Sequence, residues 1–477
     1  MARTRRTASR GPPRISPERH SEPSSSLLSE MKEFTKGKRI LVEIEDFSVK
    51  GDGISKTGEK PVVVPFSVPG DRLKVRITDI KKTYVLGEIE EILEPSEHRI
   101  APRCPHFGEC GGCPWQMIDY KAQLAFKRDA LVKLLSEFMG TSLPLDDVSG
   151  MEDPWFFRNK AQYPLKRLGS GKVIMGFYRK GTNHIADLEE CPVEYRMLNE
   201  LINPIKELLS AEKITVFARE RNWGKLRYLI MRGSERQGEV LVVLVARMQA
   251  VSVKLARKIV ELDPLHIVGV VENINPSYGN VILGPTFKKI LGAESYKEKI
   301  LGNTFRVSAG SFFQTNVVQA ELLLRELRER VGETRFLLDL YSGVGLFSIT
   351  LADKAQRVIG VEENSFSYFD ALHNAYINDQ ANVEFVQGKA EGVIMGLGKP
   401  DVVVLDPPRA GLHDDVIAGL HYLRPERIFY VSCNPRSFAR DALSLIGIGY
   451  ELVHISPYDF FPHTPHVEVL SEFRLKV

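Results

Sequence analysis

The chain has 477 residues, 43% of them hydrophobic, enough for several buried cores and suited to about three domains of ~150 residues each. No apolar run reaches the ~18 residues of a membrane span and no apolar signal segment is seen, so a reducing, cytoplasmic setting is expected, in which disulfides are disfavoured. A net charge of +3 is too small to argue for nucleic acid by itself; the distribution of charge carries more information.

Residues 1–35 are rich in Arg, Ser and Pro, with Arg3, Arg5, Arg6, Arg10 and Arg14 among few apolar neighbours, and a disordered basic tail is expected. An organelle transit peptide is the alternative, against which Gly11-Pro12-Pro13 interrupts any amphipathic helix. From 36 to 95, short apolar runs (R-I-L-V-E-I, P-V-V-V-P-F, L-K-V-R-I-T-D-I, Y-V-L-G-E-I-E-E-I-L) alternate with turn signals such as Pro69-Gly70-Asp71. That spacing predicts a small β-barrel similar to an oligonucleotide-binding barrel.

Cys104, Cys110 and Cys113 follow as C-x5-C-x2-C, with Cys191 further on in E-E-C-P. Four thiols suit zinc or an iron–sulfur cluster. With Cys191 filling the fourth position, the site reads as closed and structural. A helix is predicted over 119–138 from its apolar period. Between Pro154 and His184 lie seven Lys or Arg residues and no acidic one, interleaved with Trp155, Phe156, Phe157, Tyr163, Phe177 and Tyr178. Cations for phosphate and aromatic faces for unstacked bases suit single-stranded RNA; the alternative is a strand pair with a basic outer face and aromatics in the core. The region to residue 302 reads as mixed α/β, and V-L-V-V-L-V-A-R is its clearest strand.

From 303 onward, short nearly all-apolar strands alternate with helices, the signature of a parallel sheet covered on both faces. The last two strands follow each other directly, predicting an antiparallel hairpin that closes a seven-stranded sheet. Asp339-Leu-Tyr-Ser-Gly-Val-Gly places a glycine turn after a strand, where a ligand can approach the backbone. Ser348 stands where a dinucleotide fold has its third glycine, and the next strand ends at Glu362, placed to bond a ribose; together these favour S-adenosylmethionine over NAD. Asp406-Pro-Pro-Arg409 follows V-V-V-L at the carboxyl end of a strand, facing a sulfonium or a target base, or else serving as a helix cap or turn. Cys433, in S-C-N-P at the next strand end, reads as a nucleophile or as a buried structural thiol. Phe461-Pro-His-Thr-Pro-His-Val-Glu468 offers two histidines and a carboxylate, for acid–base work or metal binding.

Taken together, these residues resemble the RNA uracil-5-methyltransferase family, specifically its iron–sulfur branch acting on ribosomal RNA. The likeness covers about residues 36–477 and rests on V-P-F-S-V-P-G-D, the cysteine spacing, S-F-F-Q-T-N, D-L-Y-S-G-V-G, D-P-P-R, S-C-N-P and H-V-E in family order. It implies a tail (1–35), a TRAM barrel (36–95), a central α/β domain carrying a [4Fe–4S] cluster (96–302) and a Rossmann-like seven-stranded class I methyltransferase domain (303–477). It further implies Cys104, Cys110, Cys113 and Cys191 as cluster ligands, Gln314, Tyr341, Glu362 and Asp406 as contacts of S-adenosylmethionine, Cys433 as nucleophile and Glu468 as general base. The implied substrate is a uridine in 23S ribosomal RNA, modified by a cytoplasmic monomer with no membrane partner. The alternatives are the same reaction on transfer RNA, or a redox-sensitive RNA-binding module with a vestigial transferase. Leu346 departs from the polar residue some members carry, and the basic tail lies outside the shared pattern.

Overall fold

The computed structural model describes residues 34–476, except 141–142, 219–221, 278 and 280. The basic tail expected at the N-terminus therefore lies outside the described residues, save its last two. The described chain divides into two compact units: residues to Gln123 together with His463–Pro465, and Leu124–Pro462 together with the segment from His466.

In the first unit, strands β1 (Arg39–Glu43), β2 (Asp46–Phe47), β3 (Gly53–Ser55), β4 (Val62–Val64), β5 (Arg72–Ile80) and β6 (Val85–Glu94) form one sheet in the order β1-β5-β6-β4-β3-β2. Alternate residues (Val62 and Val64; Leu73, Val75 and Ile77) point inward to a core shared with Val42, Ile44, Val85 and Ile92. Gly87 has no room for a side chain: a Cβ there would lie 2.2 Å from Val75 Cγ1. Buried Asp71 ties the Pro69-Gly70-Asp71 turn to the segment beyond the sheet, accepting the Val68 and Ser96 N–H groups and the Arg99 guanidinium at 2.5 Å. The cysteine segment lies between Arg99 and Ile118, which bridge each other, and is closed by Trp115, whose indole N–H reaches Gly51 O at 2.9 Å.

Helix α1 (Tyr120–Met139) leads into the second unit, where Leu131 and Leu135 enter its core. There follow β7 (Lys160–Arg167), β8 (Val173–Met175), α2 (Arg196–Ala211), β9 (Leu226–Ser234), β10 (Glu239–Ala246), α3 (Val253–Val260), β11 (Ile267–Ile274) and β12 (Thr286–Gly292). Their sheet runs β12-β11-β10-β9-β7-β8, with only β10 and β11 parallel. Val240–Ala246 is entirely buried, as its unbroken apolar run requires. The hairpin β13 (Ser295–Ile300) and β14 (Asn303–Ser308) then reaches α4 (Val317–Val331), capped by Asn316, whose side chain accepts the Gln319 N–H.

The remaining elements are β15 (Thr334–Leu340), α5 (Leu346–Thr350), β16 (Ala355–Glu362), α6 (Ser365–Ile377), β17 (Val383–Gln387), α7 (Ala390–Val393), β18 (Val402–Leu405), α8 (Asp414–Leu423), β19 (Arg427–Ser432), α9 (Pro435–Gly447), β20 (Tyr450–Tyr458) and β21 (Glu468–Leu475). They build one sheet in the order β17-β16-β15-β18-β19-β21-β20. Parallel pairing runs from β17 to β19, and the β20–β21 hairpin joins antiparallel. The order reverses beside β15, so the carboxyl ends of β15 and β18 flank the switch point where open α/β sheets receive ligands.

For part of the basic aromatic stretch, the alternative of aromatics in the core holds. Of the aromatics between Trp155 and Tyr178, Phe157 and Tyr163 lie in the core, and the Tyr163 hydroxyl donates to buried Glu194. Arg167 spends its guanidinium on the carbonyls of Gly171, Leu209, Ser210, Glu212 and Ile214, closing the end of α2. These residues serve packing; Tyr178, Lys166, Lys172 and Arg179 remain exposed.

Candidate active site

The site forms where β15, β16, β18, β19 and β21 end or begin along one sheet edge. After β15 the chain turns through Tyr341 (φ 70°), Gly343 (φ 56°) and Gly345 (φ 84°) into α5. The turn is anchored from below. Asp339, fully buried, accepts both the N–H and the hydroxyl of Ser348, and burial pushes its carboxyl up to about 7. Ser348 thus holds the start of α5 in a place where dinucleotide folds use a third glycine. The two turn glycines differ. A Cβ on Gly345 would lie 2.8 Å from the Phe385 ring, whereas one on Gly343 would meet only open space.

Glu362 ends β16 beside this opening. It accepts the Gly343 N–H at 2.8 Å and the Asn364 N–H at 2.6 Å, while burial raises its carboxyl above the usual range. Asp406 follows β18. Its N–H bonds Leu340 O, and its carboxyl is pushed up to about 7, first by desolvation and then by the charge of Asp339. Gln314 donates to Asp406 at 3.5 Å and is held from behind by Asn159, which donates to its backbone carbonyl at 2.9 Å. The Tyr341 hydroxyl is pushed up to about 12, chiefly by burial. Open space over Gly343, the Glu362 carboxylate beside it and an unneutralised carboxyl at Asp406 suit a cationic donor carrying a ribose, which is how S-adenosylmethionine presents itself. Leu346 is buried in the core and offers no polar contact.

Cys433 follows the last paired residue of β19, and Glu468 opens β21. The Ser432–Val469 pairing carries the register to place Cys433 opposite Glu468. Asn434 caps α9 by accepting the Arg436 N–H, and its amide donates to Arg409 O at 2.9 Å, tying S-C-N-P to D-P-P-R. Burial raises the Cys433 thiol, as do the charges of Glu468 and Asp406, while a hydrogen bond from Arg409 opposes them. Glu468 is 4% exposed, and burial followed by the Asp406 charge lifts its carboxyl well above the usual range. A thiol, a proton-accepting carboxyl and a guanidinium thus converge beside Asp406 and Gln314. All six predicted catalytic and donor residues lie in the second unit along this edge.

Of the four cysteines predicted as ligands, Cys104, Cys110 and Cys113 belong to the first unit and are half-buried, with no disulfide among them. Gly112 N–H donates to Cys110 Sγ at 3.4 Å, a bond of the kind that stabilises cluster thiolates. Cys191 belongs to the second unit and is buried; Asn199 clasps its backbone, accepting its N–H at 2.6 Å and donating to its carbonyl at 2.9 Å. Thiolates are the ligands that iron–sulfur and zinc chemistry require.

Residues 33–89 match the TRAM domain, and residues 296–399 and 392–472 match tRNA (uracil-5-)-methyltransferase. An uncharacterised RNA methyltransferase of Synechocystis sp. is 36% identical over 91% of this chain and 95% of its own. One from Halalkalibacterium halodurans is 35% identical over 92% and 97%. The chain belongs to the RNA uracil-5-methyltransferase family. A solved relative, the Pyrococcus abyssi tRNA (uracil-54, C5)-methyltransferase in complex with S-adenosyl-L-homocysteine, superposes with a TM-score of 0.74 at 30% identity, covering 91% of this chain and all of that one.

This RNA uracil-5-methyltransferase is therefore an S-adenosylmethionine-dependent enzyme with an N-terminal TRAM domain. No helix among its described residues is long and apolar enough to cross a membrane. Sequence reasoning missed two supports of the site. Asp339 opens the glycine motif, yet nothing in the pattern marked it as the anchor of Ser348. Lys127 and Asp459, both without exposure, pair at 2.5 Å, and Lys127 also donates to Phe461 O at 3.1 Å, bracing the segment that leads to Glu468. Lys127 is one of three lysines on α1, with Lys121 and Lys133, and the sequence does not single it out.

Proposed function

We propose that the enzyme methylates C5 of a uridine in 23S ribosomal RNA through a covalent Cys433 adduct. The observation that carries the mechanism is the proximity of Cys433 to Glu468 and Asp406, one residue beyond the Ser432–Val469 pair of β19 and β21. Bound S-adenosylmethionine supplies an electrophilic methyl group on a sulfonium. The Cys433 thiolate adds to C6 of uracil, moving electron density to C5; C5 then bonds the methyl carbon as the S–CH3 bond breaks, its electron pair remaining on the sulfur of departing S-adenosylhomocysteine. Glu468 removes the C5 proton, the C5–C6 double bond re-forms and Cys433 departs as thiolate. A carboxyl with a raised pKa is a competent base for that step. Asp406 and Gln314 orient the reacting groups, Glu362 and Tyr341 hold the donor, and Arg409 favours the thiolate. The target base must leave its stack to reach a thiol at this depth.

Replacing Glu468 with Gln should leave the thiol able to add but the proton in place, so a covalent RNA–protein adduct should accumulate on denaturing gels. Normal RNA binding without an adduct would remove Glu468 from this role. Cys433→Ala should abolish both adduct and turnover.

Ribosomal RNA as substrate is supported by the family resemblance of the TRAM domain combined with the four-cysteine set. Transfer RNA is the second reading, favoured by the solved relative, which acts on uracil 54 of tRNA. We further propose a [4Fe–4S] cluster on Cys104, Cys110, Cys113 and Cys191. Anaerobically purified protein should then be brown, with about four irons per chain; a colourless protein holding one zinc would replace that assignment.

A further inference from the structure

A cavity of about 730 Å³, lined by none of the residues assigned to the transfer site, opens in the second unit between the β9–β10 turn, the β13–β14 turn and α4. Ile349 and Thr350 line it from the end of α5 opposite the donor-side glycines. Four cations and two carboxylates line the same space. Glu321 holds Arg236 through two bonds of 2.5 and 3.0 Å, and Asp353 holds Arg328 through two of 2.6 and 2.7 Å. These pairs neutralise each other and fix the walls. Lys299 and Arg325 remain, both exposed, with no side-chain ion pair or hydrogen bond among the described residues. Gln380 adds an amide.

The lining contains no aromatic side chain, so nothing there offers a face for a base to stack on. Cations and amide donors without aromatic faces match phosphate oxygens, which position a nucleic acid without reading its sequence. We propose that this cavity holds phosphate groups of the RNA strand outside the transfer site, with Lys299 and Arg325 as the contacting cations. The inference rests on an RNA substrate, as does the function above, and extends the binding surface to the far side of α5.

The test is the salt dependence of RNA binding by the full chain carrying Lys299→Ala and Arg325→Ala together. Neither residue is buried, so the fold should survive. Binding of an unmodified ribosomal RNA transcript is followed between about 50 and 200 mM salt. Two lost phosphate contacts should reduce the slope of log affinity against log salt by about 1.4 to 1.8. KM for RNA should rise while kcat at saturating RNA stays unchanged. Lys254→Ala with Arg257→Ala, two exposed α3 cations outside the cavity, should leave the slope as in the parent. An unaltered slope in the cavity variant would overturn the proposal. Calorimetry with sodium tripolyphosphate separates the sources: binding lost in the variant while the RNA slope is unaltered would assign the cavity to a free phosphate compound and reject RNA. If the parent methylates no RNA, the functional reading fails by itself, and the slope still reports on phosphate contact.

Discussion

The Lys127 ammonium lies 2.5 Å from the Asp459 carboxylate, and neither side chain has any exposure. Burial pulls the lysine below its ordinary range, and the aspartate opposes that pull. Such a pair is costly to break from one side, because the survivor is an uncompensated buried charge.

Lys127→Met should therefore destabilise the protein by about 3 to 5 kcal/mol, read as a lower denaturant midpoint. Lys127→Met combined with Asp459→Leu should recover much of that loss, since two apolar residues replace the pair. A double variant no more stable than the single one would show that the pair does more than neutralise charge.

Gly343 and Gly345 stand two residues apart with φ of 56° and 84°, yet substitution should act on different quantities. Gly345→Ala drives a Cβ to 2.8 Å from Phe385 and should lower the melting temperature. Gly343→Ala meets no protein atom within 4 Å and should cost only about 1 kcal/mol of stability, while its methyl group intrudes on the donor's space and weakens S-adenosylmethionine binding. Thermal melts with and without donor separate the two. Equal donor affinity in Gly343→Ala and the parent would move the donor away from this turn.

Asp406 provides a pH test. Its folded pKa of about 7 lies above the ordinary carboxylate value, so the folded state keeps a proton that the unfolded chain has lost. Its contribution to stability is thus greatest at low pH and declines as pH climbs from about 4 to about 7. A cationic donor reverses that preference by favouring the anion. Affinity for S-adenosylmethionine in Cys433→Ala protein should rise about tenfold between pH 5.5 and 7, and Asp406→Asn should flatten the rise. Calorimetry reads both; a flat profile in the presence of Asp406 would detach it from the sulfonium.

The parts of this molecule written in local patterns were legible from sequence. The apolar run Val402–Leu405 before Asp406, the glycine turn after Leu340 and Cys433 before the Asn434 cap each sit at strand ends because a buried strand must stop where polar and turn residues begin. What the pattern could not carry is pairing at long range. Lys127 and Asp459 are 332 residues apart. Tyr163 and Phe157 share composition with RNA-binding aromatics, and only the fold shows them inside the core. Strands as short as Asp46–Phe47 and Gly53–Ser55 leave no period to read.

The most direct test is mass spectrometry of RNA incubated with the purified enzyme and S-adenosylmethionine, with unmodified 23S ribosomal RNA and unmodified transfer RNA in separate reactions. New 5-methyluridine in the ribosomal RNA alone, absent with Cys433→Ala, is the predicted result. Methylation confined to transfer RNA, or persisting without the Cys433 thiol, would contradict it.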